Sequence, residues 1–154
     1  MALPPYDEWL KTVPSGIKSD SLWRVRAYRL SLYMADAVRE DVDVLSKRPL
    51  LRGLVHQLYR AVNSIGANIA EGYSHVSGRE RAKFYEYALG SAREARDWYY
   101  KSRHDLSKET VQARMAILDE IIRLLIVMVS QQRSAHQKDY QIREEPGTYI
   151  VGEE

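Results

Sequence analysis

A band of aromatic and basic residues is the feature of this sequence whose side chains best suit a chemical task. It lies at helical spacing in the second half of the chain and contains Tyr85, Leu89, Arg93, Arg96, Tyr100 and Arg103, with Arg79, Arg81 and Lys83 before it. Guanidinium groups bind phosphates bidentately, and the planes of Tyr and Arg stack on unpaired bases. The pattern suits RNA or single-stranded DNA. Two other interpretations stay open. Interspersed acids favour a solvated face, and Tyr and Arg are also enriched at protein interfaces.

Residues for metal binding or catalysis do not form a recognisable set. Di-iron bundles use Glu-x-x-His on two helices, whereas Glu71 and His75 are four residues apart and neither His104 nor His136 follows a Glu at that spacing. There is no Cys, no phosphate-binding glycine loop and no H-E-x-x-H. Helical Ser64 and Ser91 are typical packing residues, since no strained nucleophile turn is visible. We therefore expect no enzyme, no cofactor and no metal site.

A second surface is predicted from the stretch after Pro49. Its core stripe at 100° per residue is Leu54, Val55, Leu58, Val62, Ile65, Ile69 and Tyr73, and the opposite face carries Arg60, Ser64, Ala67 and Glu71. Small residues on the back of a helix suggest close packing against another surface. Burial on all sides within one chain is the plain alternative to an oligomer contact. Arg60 and Glu71 are about 16 Å apart along the helix axis and cannot pair with each other.

Four long helices must position these residues. Hydrophobic periodicity, with start signals at Asp20, Pro49, Ser77-x-x-Glu80 and Ser107 or Asp105, predicts helices near 20–46, 49–75, 77–104 and 107–133. Short connections favour an all-α, antiparallel, up-down-up-down, left-handed four-helix bundle. The predicted core stripe of the first helix includes Asp41, and that of the third is Phe84, Ala88, Ser91, Ala95, Trp98 and Ser102. Gly66, inside the second helix, suggests close approach of another backbone.

The composition predicts one soluble domain flanked by two segments that differ from it in sequence. The chain has 154 residues and a net charge of +2, so it is long enough for a real core. The sequence predicts an irregular arm over 1–19 with room for a short helical turn at 6–10, the bundle over 20–133, and an acidic, loosely ordered tail over 134–154, in which 148–151 could pair as a strand. The segment 20–138 has 20 basic and 14 acidic residues, which is compatible with nucleic acid. With no secretory signal and no apolar run long enough to span a membrane, we expect a cytoplasmic protein that does not bind membranes.

Two motifs resemble a known family. The run Asn68-Ile69-Ala70-Glu71-Gly72 and the later Gly90-Ser91-x-x-Glu94 are similar to the "four helix bundle protein" family, whose first members are encoded in intervening sequences of bacterial 23S ribosomal RNA genes. The resemblance covers about residues 20–133. It implies a bundle that assembles as a ring-like homopentamer and has no established enzymatic activity. A more distant relative is the accessory variability determinant of diversity-generating retroelements, which binds reverse transcriptase and nucleic acid.

Two functional hypotheses follow from these observations together. The first is a non-enzymatic oligomeric scaffold that binds structured RNA, single-stranded nucleic acid or a nucleic-acid-associated protein through the basic and aromatic band. The second is a pure protein-interaction module, in which the band is a face that keeps the protein soluble. A reverse-transcriptase accessory subunit is one form that such a module could take. The polar motif residues have no catalytic geometry, so holding helices or subunits together is a reasonable task for them.

Overall fold

The protein is all-α in the computed structural model, which describes residues 2–144, with the side chains of 2–135 and 137. Its helices are α1 (Tyr6–Thr12), α2 (Ser15–Lys18), α3 (Arg26–Leu45), α4 (Arg52–Ser74), α5 (Gly78–Lys101) and α6 (Lys108–Glu144), with 3₁₀ turns at Ser21–Arg24 and Pro49–Leu51. Within residues 2–144 there is no strand. The predicted all-α class is confirmed, while the strand considered at 148–151 lies outside the described residues.

The helix starts show which local signals the chain uses. Ser77 caps α5 as predicted, because its hydroxyl accepts a hydrogen bond from the Glu80 amide at 3.2 Å. Of the two candidates before α6, Ser107 is the cap and accepts from the Thr110 amide at 3.1 Å. Asp20 caps the 3₁₀ turn through the Leu22 amide rather than a long helix. The backbone is then extended at Val25, so α3 begins at Arg26, six residues later than predicted.

The two ends of the chain are more helical than the sequence indicated. In the segment predicted as an irregular arm, α1 confirms the short helical turn expected at 6–10, and α2 is an additional helix. The last helix was predicted to end near 133, yet α6 runs to Glu144. The physical reason is that residues 131–144 contain no Gly or Pro and include several good helix formers, so nothing stops the helix before Pro146. The predicted loose tail is therefore helical over 134–144.

The core lies between the four long helices. The α3 helix packs against α4 and α6, and α5 packs against the same two, so each long helix has two long neighbours. The predicted stripe of α4 is confirmed, since Leu58, Val62, Ile65 and Ile69 are fully buried. Facing them are Met34, Val38, Leu118, Ile121 and Leu125.

The predicted core stripe of α5 is confirmed at Ala88, Ala95 and Ser102, which are fully buried, and wrong at its other three positions. The buried residues are Ala82, Tyr85, Ala88, Ala92, Ala95 and Tyr99, whereas Phe84, Ser91 and Trp98 lie only half-buried at the edge. Ala and aromatic residues occur on several sides of this helix, so its periodicity allows more than one stripe. Tyr85 enters because Gly72 of α4 leaves room for its ring: a Cβ at Gly72 would lie 2.9 Å from it.

Gly66 lies at a close approach of α3 to α4. A Cβ there would lie 2.6 Å from the Ser31 hydroxyl oxygen, and that hydroxyl donates a 2.7 Å hydrogen bond to the Tyr28 carbonyl of its own helix. The close approach inferred from the sequence is present, with a side chain of the neighbouring helix as the contacting group.

A buried polar cluster joins three of the long helices. Asp41 of α3 is 3% exposed, and its carboxylate accepts hydrogen bonds from the Tyr99 hydroxyl at 2.6 Å and from Arg114 Nε at 2.8 Å. Burial, with the Asp41 charge beside it, raises the pKa of the Tyr99 hydroxyl far above its ordinary value. Because each partner comes from a different helix, this cluster sets the register of α3, α5 and α6.

The arm packs on α3 through aromatic contacts. Trp9 is 5% exposed and donates its indole N–H to the Asp36 carboxylate at 2.7 Å. Its ring centroid lies 5.4 Å from that of Tyr33, whose hydroxyl donates to the Pro4 carbonyl at 3.0 Å. Tyr6 completes the cluster at 5.4 Å from Tyr33. These contacts hold α1 in a defined position on the bundle.

Candidate interaction surfaces

The outward face of α4 is exposed to solvent. Arg60, Ala67 and Glu71 are exposed and Ser64 is half-buried, so the alternative of burial on all sides within one chain is wrong. Among the described residues Arg60 has no ion-pair partner, and Glu71 lies 3.6 Å from the imidazole of His75, the residue that follows α4. If Arg60 and Glu71 served only to hold one chain together, α5 would have to supply their charged partners. It does not do so within the described residues.

Polar side chains on this face turn back onto their own helix. The Ser64 hydroxyl donates to the Arg60 carbonyl at 2.8 Å, and the amides of Asn63 and Asn68 donate to the carbonyls of Tyr59 and Ser64, each at 2.8 Å. Side chains bonded in this way stay close to the helix surface. The outward face of α4 therefore has few projecting side chains, and its charged residues are Arg60 and Glu71.

Exposed apolar residues flank α4 at both ends. Leu50, just before the helix, is 95% exposed and Val76, just after it, is 94% exposed. Tyr59, within the helix, is 44% exposed. Exposed apolar side chains do not stabilise a protein in water, whereas covering them with a partner lowers the free energy of the complex.

Part of the predicted basic and aromatic band is assembled on the side of α5 that faces α6. Arg93, Arg96 and Tyr100 line one shallow depression of about 270 Å³ together with Asp97 and Met115. The Arg103 guanidinium lies 4.0 Å from the Tyr100 ring centroid and donates to the Tyr100 carbonyl at 3.0 Å. These four residues, Arg93, Arg96, Tyr100 and Arg103, form the exposed band.

The exposed band is less basic than the sequence suggested. The Arg96 guanidinium donates to Asp119 of α6 at 2.7 Å, and Asp97 lines the same depression. Arg93 and Arg103 form no ion pair within the described part of the chain. The band thus offers two unpaired cations and one exposed tyrosine ring.

The remaining residues predicted for the band lie elsewhere. Tyr85 is 3% exposed, so its ring cannot stack on a base, and burial raises the pKa of its hydroxyl. Arg81 is half-buried and donates through Nε to the His75 carbonyl at 2.5 Å, which satisfies a free carbonyl just after α4. Lys83 lies 3.8 Å from Glu80. Arg79 is exposed, but it precedes Arg93 by fourteen positions, which correspond to about 21 Å of helix.

Two of the motif residues are buried packing residues, and the others are half-buried or exposed. Ile69 and Gly72 are buried between α4 and α5, with Gly72 against Tyr85. Asn68 bonds its own helix, and a Glu94 carboxylate oxygen accepts from the Trp98 indole N–H at 3.3 Å. Gly90 is exposed, and a Cβ there would meet nothing within 4 Å. Within the motif, Gly72 therefore accounts for the contact between α4 and α5. The contacts within one chain do not explain why position 90 is a glycine.

Two features of the structure were not predicted from the sequence. Asp41 was expected on a core stripe but without a partner, although a carboxylate buried there requires one. Tyr6 and Trp9 were given no role, although their spacing of three on a short helix could have indicated a docked aromatic face. No cluster of three metal-ligating side chains occurs in the described part of the chain. None of the helices within 2–144 has the length and apolar character to cross a membrane.

Comparison with known proteins agrees with the motif resemblance. The profile of the family described as "23S rRNA-intervening sequence protein" matches residues 25–127. The fold is similar to the crystal structure of a protein of unknown function from the S23 ribosomal protein family of Bacteroides thetaiotaomicron. That similarity has a TM-score of 0.63 and 24% identity and covers 67% of this chain and 97% of the other. No curated protein matches the chain.

Proposed function

Because the chain belongs to the 23S rRNA-intervening sequence protein family, we propose that it is a non-catalytic helical scaffold that assembles with copies of itself through the outward face of α4. The homopentamer that the family resemblance implies is the assembly we adopt. The observation that carries the proposal is the exposed outward face of α4, which has few projecting side chains. On this face Arg60 has no ion-pair partner within the described residues.

The physical argument compares this face in water and against a neighbour. In water, a helix face normally carries long charged side chains, which Ser64 and Ala67 do not provide. Against another helix, small residues allow close approach, while Arg60 and Glu71 at the two ends can pair with residues of the adjacent copy. Leu50 and Val76 would be covered at the margins of the same contact.

The arrangement of the helices within each copy is part of the proposal. Residues 75–77 join α4 to α5, and 102–107 join α5 to α6. Such short connections between helices that pack together support an antiparallel, up-down-up-down course with the left-handed twist usual for these bundles.

Light scattering after size exclusion tests the assembly. For the wild type we expect five copies of 17.8 kDa, a mass of about 89 kDa. Ala67→Arg places a long charged side chain in the contact and should lower the mass to that of the monomer while leaving helicity unchanged. Ala116→Arg, on the exposed face of α6, is the matched control and should assemble normally. A monomeric wild type, or an Ala67→Arg variant that assembles like Ala116→Arg, would contradict the proposal.

A second candidate function is nucleic-acid binding at the exposed band. Arg93 and Arg103 supply two unpaired guanidinium groups beside the exposed Tyr100 ring, which suits a single strand with one stacked base. The double variant Arg93→Gln/Arg103→Gln should weaken binding of structured RNA or single-stranded DNA. Lys101→Gln is the control, because Lys101 is paired with Asp97 at 2.6 Å and lies over Trp98.

Salt dependence separates this candidate from a pure protein-interaction module. Two phosphate contacts on a single strand predict a slope of log affinity against log salt of about −1.4, and the double variant should remove most of it. Absence of binding at low salt would favour the protein-interaction module, for which a reverse transcriptase is the partner suggested by the more distant relative.

A further inference from the structure

A basic depression lies between the arm and the start of the bundle, far along the chain from the exposed band. It has a volume of about 470 Å³ and is lined by Leu10, Lys11, Lys18, Trp23 and Arg29. The depression is open to solvent, so a ligand would be held by its lining side chains and not enclosed. All of these residues except Arg29 precede the segment that the family profile matches. The depression is therefore built largely by the part of the chain outside the family segment.

The lining carries three cations and no carboxylate. Lys18 forms no ion pair within the described residues. Lys11 pairs with Glu8 at 2.8 Å, but both side chains are more than half exposed, and such surface pairs are weak enough for a ligand to compete. The acids nearest in sequence, Asp7, Glu8 and Asp20, are not among the lining residues, and Asp20 accepts a hydrogen bond from the Leu22 amide. The local field therefore favours an anion.

Arg29 and Trp23 form the wall that belongs to the bundle. The Arg29 guanidinium donates from Nη1 to the Trp23 carbonyl at 2.6 Å, and its central carbon lies 5.9 Å from the Trp23 ring centroid. A guanidinium group has five N–H donors, so one bond to a carbonyl leaves others for a phosphate. The indole beside it offers a flat apolar surface for a planar ring.

Lys11 and Lys18 form the wall that belongs to the arm. The α1 part of this wall, which carries Lys11, is held in position because Trp9 bonds Asp36 and Tyr33 bonds the Pro4 carbonyl. A site whose walls are held before the ligand arrives loses less entropy on binding. We propose that this depression binds a nucleotide-class ligand, a phosphorylated molecule with a planar aromatic ring. The phosphate lies among Lys11, Lys18 and Arg29, and the ring lies on Trp23.

The position of the site also gives the ligand a structural effect. Lys11 and Lys18 come from the arm, and Trp23 and Arg29 from the turn and helix that start the bundle. A ligand that contacts both walls stabilises the docked arm by the free energy of its own binding. This inference is independent of the proposed assembly, since none of its residues lies on α4.

Calorimetric titration of the full chain at low salt tests the ligand class, with AMP, inorganic phosphate and adenosine as three separate probes. We expect AMP to bind at least about tenfold more tightly than either of the others, because it alone engages both the cations and the indole. Phosphate that binds as tightly as AMP would exclude the role of Trp23, and adenosine that does so would exclude the cations. No heat from AMP at millimolar concentration would refute the site.

Charge-reversal variants test the location. Lys18→Glu should weaken AMP binding by about tenfold or more, whereas Lys101→Glu, a lysine beside the indole of Trp98 outside the depression, should not. Equal losses in the two variants would mean binding by overall charge and would overturn the proposal. If Lys18→Glu does not fold, as judged by far-UV circular dichroism, Lys18→Gln replaces it with the same expectation at a smaller loss.

Hydrogen exchange provides a readout that does not depend on affinity. Saturating AMP should slow amide exchange in 6–18 of the wild type and leave the rate in 90–101 unchanged. Unchanged exchange in the arm at saturation would contradict a ligand held between the two walls.

Discussion

Replacing Asp41 with Ala should be among the most destabilising single substitutions in this protein. The Asp41 carboxylate accepts from Tyr99 at 2.6 Å and from Arg114 at 2.8 Å and 3.2 Å. The Arg114 side chain is only 12% exposed, so the substitution leaves a buried cation without its counterion. Breaking a buried ion pair from one side costs about 3–5 kcal/mol of the free energy of unfolding. That is a large part of the roughly 5–15 kcal/mol by which a domain is stable.

The structure offers a matched control for this prediction. Arg26 and Glu120 also join α3 to α6 by a carboxylate–guanidinium bond, at 2.6 Å, but both side chains are substantially exposed. Glu120→Ala should therefore cost only about 0–1 kcal/mol, since surface pairs contribute little. Tyr99→Phe, which removes one bond to the carboxylate and leaves Arg114 paired, should fall between the two at about 1.5–3 kcal/mol.

The assay is urea unfolding followed by helical circular dichroism at one fixed protein concentration, so that assembly contributes equally to every variant. The double variant Asp41→Ala/Arg114→Met should be more stable than Asp41→Ala alone, because it removes the unpaired charge. The reasoning is refuted if Asp41→Ala costs no more than Glu120→Ala, or if Arg114→Met adds its full cost to that of Asp41→Ala.

Two further substitutions test the packing of α4. Ile65→Ala should cost about 2–5 kcal/mol in the same unfolding assay, because the side chain is fully buried and its removal leaves a cavity; a cost below about 1 kcal/mol would mean that the site collapses. Gly66→Ala should cost about 1–3 kcal/mol, because the new Cβ would lie 2.6 Å from the Ser31 hydroxyl oxygen. Combining Gly66→Ala with Ser31→Ala should recover most of that loss, and a double variant no more stable than Gly66→Ala would show that the hydroxyl is not the obstacle.

The sequence by itself determined the helical class and the buried face of α4. Leu58, Val62, Ile65 and Ile69 recur at helical spacing and have no large apolar competitor on the opposite face, so only one rotation buries them. The cap of α5 at Ser77 could also be predicted from local sequence, because a serine hydroxyl reaches the amide three residues further along the chain. Membership of the family was also readable from the chain, since the profile match includes both motifs.

Only the tertiary structure decided the rotation of α5 and thus the membership of the candidate site. Tyr85 was assigned to an outer band, but Gly72 on another helix opens the space that buries it. Arg96 was counted as a free cation, but Asp119 of α6 pairs with it. Neither partner can be found from the helix itself, because both are brought there by packing.

The same reason applies to the buried cluster and to the arm. Asp41 meets Arg114 across 73 residues of chain, and Trp9 meets Asp36 across 27. Local spacing predicts what a residue needs, such as a counterion for a buried carboxylate, because that need depends only on burial and charge. It does not predict which distant residue supplies it, because that depends on the arrangement of helices that are already packed.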